Sequence, residues 1–599
     1  MDISKIRKSD VNIIAIGSYP AVIQSVLDFD YYSGKDEMSI KCIIAAGRKF
    51  ERYFFGKREI LIPAFPSFDR IPEHLRKSIT YFINLSSGRR ALSYSVEAIG
   101  ILPNLIGGAV FAENVPEKHA VELSDFCASK KVFVVGPASV GLIIPGIVKL
   151  GAIGGVDHKQ LLLAKLLEHG NVCVLSASGG MTNEIINIAA GFGKKLSFSL
   201  SFGGDRFPIV TPADAFLAAE KDPETHTIVY FGELGGTDEY KIAQLLQTGK
   251  VTKKVIAYIA GTVAEIFPGS PQFGHAKAMA RTNKETARAK RDILRSAGAN
   301  TAESFNEFVE MIRSAPEIKT SSAPAEVNIS SERDIIKLME ERRSALIASS
   351  LSHDKDGRVI VLGEDLLNLA KNHSFAYITA SMFLGKKIKS RELEEFVDFA
   401  LRLLVDHGPY VSGAVNTIVT SRAGRDLVSS LAAGILTIGP RFGGAINQAA
   451  QNWLEGVGSN KKASEFVEEF ASKKKYIAGI GHRKYRVDFP DPRVEKILAH
   501  AMELSGKYTK FAGEVEKVTV QKKGNLILNV DGAIAAVLLD LLSEKEGLSR
   551  EELKELVEIE FFNALFVLSR SVGFIGHYLD QKRLDEGLFR LEEDHVASI

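Results

Sequence analysis

Toward the end of this 599-residue chain, Gly-Ile-Gly-His482-Arg483 runs on to Asp491-Pro492-Arg493, and Asn529-Val530-Asp531-Gly532 follows. An imidazole, a carboxyl group and several guanidinium groups suit the making or breaking of a carbon–carbon bond beside a carboxylate. Guanidinium forks bind the carboxylates, while the imidazole and the acid move protons. The front half offers a second chemistry. Phe273-Gly274-His275-Ala276 places a histidine among small neighbours, and Ser178-Gly179-Gly180-Met181-Thr182 stands between a β-rich run and a helical segment at 183–190. Unpaired N–H groups at such a helix start favour phosphate or carboxylate. Together these look like the parts of a phosphohistidine site, so two coupled active sites are expected in one polypeptide.

These groups need a scaffold, and the hydrophobic pattern predicts one. Nearly continuous apolar runs at 11–17, 40–45, 59–62, 80–85, 105–112 and 131–135 alternate with helix-length segments, which indicates a parallel sheet covered on both faces. A second set lies at 171–176, 196–202, 227–231 and 254–259, each run ending in a glycine-containing turn. In open α/β sheets ligands bind beyond the carboxyl ends of the strands. Ser178-Gly179-Gly180, Gly203-Gly204-Asp205, the 232–236 turn and Gly261-Thr262 are therefore expected to share one crevice. Residues 314–333 read as a polar surface linker. Only four of the 19 prolines lie in 331–599, where long helical segments such as 394–406 and 532–542 predict a mostly α domain. The expected domains are α/β at 1–140, α/β at 141–313, the linker, and all-α at 334–599.

Charged residues make up 25% and hydrophobic ones 45% of the chain, an ordinary globular composition. The net charge of +2 gives no reason to expect a nucleic-acid or anionic-membrane partner. The N-terminus has no apolar stretch of signal-peptide type, and the apolar runs are too short or too interrupted for a bilayer. Cys42, Cys127 and Cys173 are widely spaced, which suggests neither a disulfide framework nor a zinc site. A cytoplasmic protein with no metal ligands of its own is expected.

The front motifs resemble the succinyl-CoA synthetase α-subunit family and, more specifically, the matching part of the ATP citrate lyase family. The similar segments are Gln-Phe-Gly-His-Ala at 272–276, Ser-Gly-Gly-Met-Thr-Asn-Glu at 178–184, Gly-Pro-Ala-Ser-Val-Gly at 136–141, Leu-Asp-Phe-Asp-Tyr at 27–31 and Gly-Glu-Leu-Gly-Gly-Thr at 232–237. The resemblance implies a CoA-binding Rossmann-like domain followed by a flavodoxin-like domain. It implies that His275 is phosphorylated and that Ser178, Gly179, Gly180, Met181 and Thr182 face phosphate and citrate. Glu113, in Phe-Ala-Glu-Asn-Val-Pro-Glu, matches the glutamate that faces the histidine; a carboxylate at one ring nitrogen would orient the other as nucleophile. CoA is implied near Gly17, Ser18 and Tyr19, a turn that departs from a glycine-rich nucleotide fingerprint, and near Lys522 and Lys523.

The last third resembles citrate synthase in its ATP citrate lyase form. Asp406-His407-Gly408 matches a citrate-contacting histidine, Gly481-His482-Arg483 a histidine directed at the hydroxyl or carbonyl, Arg493 and Arg570 carboxylate-binding arginines, and Asp531 the acid/base aspartate. Arg483 joins them as a substrate contact. Taken singly, Asp531 reads as a helix N-cap and Arg570 as part of a solvated face. One departure stands out: Gly439-Pro440-Arg441-Phe442-Gly443-Gly444-Ala445 carries Phe442 where citrate synthases have an enolate-stabilising histidine. A phenyl ring cannot donate that hydrogen bond, which disfavours a plain citrate synthase.

The resemblance implies the A-type subunit of an enzyme that converts citrate, ATP and CoA to acetyl-CoA, oxaloacetate, ADP and phosphate. ATP and Mg²⁺ would sit mainly on a separate ATP-grasp B-type subunit, and the C-terminal domain would self-associate as a dimer or tetramer, up to four of each subunit. The rival readings are a citrate synthase tethered to an acyl-CoA synthetase fragment, a synthetase for another dicarboxylate, and a non-catalytic assembly subunit.

Overall fold

The computed structural model describes residues 1–267, 271, 272, 274, 275, 277–316, 332–439, 442–459 and 461–597. Two compact units account for them, Met1–Leu346 and Ile347–Ile599.

Two seven-stranded sheets form the first unit. One contains β1 (Ile13–Ile16), β2 (Ile40–Ile44), β3 (Phe50–Phe55), β4 (Arg58–Phe65), β5 (Tyr81–Asn84), β6 (Gly107–Val110) and β7 (Phe133–Val135), in the order β3-β4-β2-β1-β5-β6-β7. Every residue of β1 and β5 is buried, as suits central strands covered on both faces. The other contains β8 (Leu142–Ile144), β9 (Val148–Leu150), β10 (Val172–Ser176), β11 (Leu196–Ser201), β12 (Thr227–Glu233), β13 (Lys254–Ala260) and β14 (Asn300–Thr301), in the order β14-β13-β12-β10-β11-β8-β9.

The sheets are mixed rather than purely parallel. β3 pairs antiparallel with β4, and β8 pairs antiparallel with both β11 and β9. These edges escape the sequence pattern for a physical reason. β3 begins by alternating exposed and buried residues instead of running apolar throughout, and β8 and β9 have three residues each, too few to establish a period.

The first unit also extends beyond the expected boundary. Helix Glu332–Glu340 buries Met339 in its core. The Arg342 guanidinium ion-pairs with Asp28, its Nε donates to Gly56 O at 2.9 Å, and Lys159 meets Glu340 at 2.8 Å. The second unit thus starts at Ile347 rather than 334. Of the expected linker, 317–331 lie outside the described residues.

Helices dominate the second unit. At its centre helix Val530–Glu544 is buried continuously from Gly532 to Leu542. Helix Ala445–Gly458 packs against it, with the Trp453 indole N–H donating to Gly532 O at 3.0 Å. The all-α expectation needs one correction. A small antiparallel sheet is formed by β15 (Ser352–Lys355), β16 (Arg358–Val361) and β17 (Glu364–Asp365). Its first strand is fully exposed and polar, so no apolar pattern marks it; its hairpin is the Asp356-Gly357 turn, both residues at positive φ. Among the described residues no single helix is long and apolar enough to cross a membrane.

Candidate active sites

In the first unit a cleft of about 250 Å³ lies between loops of the two sheets. Glu113 and Asn114 enter after β6, Gly179 and Gly180 after β10, Gly204 and Asp205 after β11, and Gly274 and His275 close it. The strand-end rule therefore holds for several turns but not all. Gly261 lines a separate small cavity, and Gly236 and Thr237 line another of about 530 Å³.

His275 is fixed at one nitrogen. Its Nδ1 lies 2.9 and 3.1 Å from the two carboxylate oxygens of Glu233, the last residue of β12. That hydrogen bond raises the imidazole pKa; burial opposes it, and the charges of Glu233, Glu113 and Asp205 add to it. Nδ1–H then donates to Glu233, which leaves Nε2 with the lone pair of a nucleophile. The orienting glutamate is thus Glu233 rather than Glu113, which lines the cleft and acts on the ring through its charge. Glu233 stands in the Gly-Glu-Leu-Gly-Gly turn, so the strand-end rule points to it. A further requirement is Gly204: a Cβ there would lie 2.4 Å from His275 Cδ2. Phe273 and Ala276 lie outside the described residues.

Helix Gly179–Gly191 begins at this cleft. Its first N–H groups have no intrahelical acceptor, and a Cβ on Gly180 would meet nothing within 4 Å. The neighbouring side chains serve the helix instead. Ser178 Oγ caps the Met181 N–H, Thr182 Oγ1 donates to Ser178 O at 2.6 Å, and Met181 packs against the core. Of the five expected anion contacts, the structure puts the backbone of Gly179 and Gly180 on the cleft and turns the Ser178, Met181 and Thr182 side chains to structural work.

The turn expected to hold CoA follows β1. Gly17 adopts φ 86°. Ser18 Oγ donates to the buried Glu51 at 2.8 Å, and the half-exposed Tyr19 ring packs 5.6 Å from Phe111, a residue of the cleft wall. Lys522 and Lys523 are exposed at the end of helix Lys507–Lys522 in the second unit.

The second unit assembles most of its expected residues. The loop carrying His482 is sewn to the segment before Asp531: Gly481 N donates to Ile527 O at 2.7 Å, His482 N to Asn525 O at 3.0 Å and Asn529 N to Gly479 O at 3.0 Å. Gly479 and Gly532 meet backbone to backbone, where a Cβ on Gly532 would lie 2.4 Å from Gly479 O. Asn529 is the N-cap, its side chain accepting from Gly532 N at 3.0 Å. Asp531 is therefore free of capping and sits in the first helical turn. Burial pushes its pKa up to about 6, against the downward pull of Arg493 and Arg570.

The His482 tautomer follows from its neighbours. Nδ1 accepts from the backbone N–H groups of Lys484 (3.0 Å) and Tyr485 (2.9 Å), which leaves the proton on Nε2 as a donor. Burial, together with Arg493, His407 and Lys484, holds its pKa down against Asp491, so the ring is neutral. Arg493 forms a fork with the buried Asp491 (3.0 and 2.7 Å), and its Nη1 lies 3.4 Å from His407 Nδ1. Burial first, then Arg493 and Arg570, lowers the His407 pKa. Asp406, which precedes it, is held by His577 Nε2 at 3.1 Å and accepts from Gly408 N.

Arg570 is 3% exposed, and its Nε and Nη1 are buried without a partner. A solvated face is excluded, and an unpaired buried guanidinium calls for an anion. Phe442 takes its place in a stack: its ring meets Phe566 edge-on at 5.9 Å, and the Arg570 guanidinium lies over Phe566 at 4.8 Å. Arg483 does not join the cluster. It is exposed. Pro440 and Arg441 lie outside the described residues.

Fold and sites together define a CoA-ligase-type module joined to a citrate-synthase-type module. The model of "Citrate synthase, C-terminal domain" matches residues 238–592 and that of "CoA-ligase" residues 175–300. The ATP-citrate synthase beta chain protein 1 of Oryza sativa is 38% identical, over 95% of each chain. A probable ATP-citrate synthase of Caenorhabditis elegans is 37% identical over 99% of this chain, which spans 55% of that longer protein. A solved ATP citrate lyase from Methanothrix soehngenii, in complex with citrate and coenzyme A, is 34% identical with a TM-score of 0.51, covering 98% of this chain and 97% of that one. The chain belongs to the ATP-citrate synthase family.

Proposed function

We propose that this chain is the A-type subunit of a two-subunit enzyme that cleaves citrate at the expense of ATP, with CoA as acyl acceptor. A separate ATP-grasp subunit supplies ATP with its Mg²⁺. His275 Nε2 attacks the γ-phosphorus, and ADP leaves with the electron pair. A citrate carboxylate then takes the phosphoryl group as the N–P bond breaks, the Gly179 and Gly180 N–H groups steadying the charge. CoA sulfur displaces phosphate from citryl phosphate to give citryl-CoA. The rice relative's designation as a beta chain supports a separate partner; unpaired buried Cys42, Cys127 and Cys173 suit a reducing cytoplasm.

The second unit cleaves citryl-CoA. Arg570 and Arg493 bind its carboxylates, and the neutral His482 donates from Nε2 to the tertiary oxygen. Proton traffic falls to Asp531, because the one basic lone pair of neutral His482, on Nδ1, already accepts from the Lys484 and Tyr485 N–H groups. Ionised Asp531 takes the hydroxyl proton; the carbon–carbon bond breaks, its electron pair forming the acetyl-CoA enolate and leaving oxaloacetate. The protonated Asp531 then delivers that proton to the enolate carbon. The sharing of acid and base roles between His482 and Asp531 expected from the motifs is in this way replaced by one carboxyl doing both.

The observation that carries this reading is the buried, unpartnered Arg570, whose charge acts on an Asp531 that Asn529 leaves free of capping. The deciding experiment supplies citryl-CoA to the purified chain and separately supplies ATP, Mg²⁺, citrate and CoA to chain plus partner. Acetyl-CoA and oxaloacetate are expected in both; their absence from the first refutes the lyase assignment.

A further inference from the structure

Behind the Glu233–His275 contact lies a cation that the chemistry described so far does not use. Lys290, on helix Ala287–Ser296, is fully buried, and its ammonium meets three oxygens. It ion-pairs with Glu239 Oε2 at 2.7 Å and donates to Glu233 O at 2.8 Å and Gly235 O at 2.5 Å. Glu239 is 2% exposed and accepts on Oε1 from the buried Tyr230 hydroxyl at 3.0 Å. A buried ion pair is weak evidence for stability, since apolar side chains of similar volume often serve a core as well or better. An apolar chain could not donate to the two carbonyls flanking Leu234, and a buried carbonyl without a donor is costly.

Those carbonyls belong to the turn on which the histidine segment rests. Glu233 gives its carboxylate to His275 Nδ1. Two residues on, Gly235 adopts φ 90°, and a Cβ there would lie 1.9 Å from Lys277 O. Asp238 ion-pairs with Lys277 Nζ. The turn thus meets His275 once and Lys277 twice, and the Lys290 ammonium fixes its backbone at Glu233 and Gly235, the residues that make the first two of these contacts.

Resting on the reading of His275 as phosphoryl carrier, we propose that Lys290 is a positioning residue of that site: paired with Glu239, it holds the Glu233 and Gly235 carbonyls and so keeps the Glu233 carboxylate on His275 Nδ1. Being buried, Lys290 reaches neither citrate nor phosphate and acts only through Glu233. Glu239 is its counter-ion, and Tyr230 orients that carboxylate.

The test compares the full-length parent, Lys290→Met and the charge-balanced double variant Lys290→Met/Glu239→Gln, which leaves no buried carboxylate stranded. The charged groups facing the His275 ring are Glu233, Glu113 and Asp205, and the hydrogen bond with Glu233 does most to raise its pKa. In the double variant the His275 Cε1–H resonance should titrate at lower pH as the carboxylate leaves Nδ1. Loss of a nearby positive charge alone would move it to higher pH. With the ATP-grasp partner and radiolabelled Mg-ATP, labelling of His275 should slow by roughly 10–100-fold, the scale of a reacting group misplaced by about an ångström. Added to Glu233→Gln, the same two substitutions should slow it no further, because they act through one contact. A titration that stays or rises in the double variant overturns the proposal, and so does a full further loss on top of Glu233→Gln. Should Lys290→Met fail to fold, the double variant decides. An unlabelled parent chain overturns the phosphohistidine reading, and the titration, which needs no phosphoryl transfer, then decides the positioning role by itself.

Discussion

His275 Nδ1 lies 2.9 Å from Glu233 Oε2, joining residues 42 positions apart across the second sheet. The contact fixes the tautomer and raises the imidazole pKa. Its stabilisation is full below the ordinary imidazole pKa and disappears as pH rises through the raised value. In Glu233→Gln the His275 Cε1–H resonance should titrate at lower pH, and phosphorylation should slow by about 10²-fold, the scale of a lost acid–base partner. An unchanged titration would show that Glu233 does not hold the ring.

Gly204→Ala should displace the imidazole, because the new Cβ would meet Cδ2 at 2.4 Å. ATP-dependent turnover should drop at least tenfold while cleavage of supplied citryl-CoA stays at the parent rate. A loss of both activities would place the damage elsewhere.

Asp531 must be ionised to accept the hydroxyl proton, and its pKa stands near 6. The kcat/KM for citryl-CoA should therefore rise with pH through about 6 and level off above it. Asp531→Asn should remove both the activity and that limb, leaving His275 labelling intact.

Arg570→Met should separate stability from function. Replacing an unpartnered buried guanidinium by an apolar chain raises the melting temperature, yet kcat/KM for cleavage should fall by roughly 10–100-fold as a charged hydrogen bond is lost. A variant both less stable and fully active would contradict the assignment.

Lys149 is 1% exposed, with its ammonium on Ser25 Oγ (2.8 Å) and Gly151 O (2.7 Å). Burial lowers its pKa to about 7 despite Asp28 and Asp30. Above pH 7 the unfolded chain binds this proton and the folded chain releases it, so stability gains from rising pH up to the ordinary lysine range. Denaturant midpoints measured between pH 7 and 10 should show a steeper upward trend in the parent than in Lys149→Met.

The sequence by itself determined the two kinds of module, the central strands and the helix start at Gly179, because apolar runs and glycine turns express backbone preferences over a few residues. It also marked His275, His482, Asp531 and Arg570. What each group can do was decided only by the tertiary structure. Packing across the sheet gave Nδ1 of His275 to Glu233 rather than Glu113. Two backbone N–H groups made His482 a donor, and Asn529 took the cap and left Asp531 free. Packing against Phe566 buried Arg570 without a partner, whereas Arg483 stayed in solvent. Protonation, tautomer and burial depend on atoms brought together from distant segments, and no local pattern of residues encodes them.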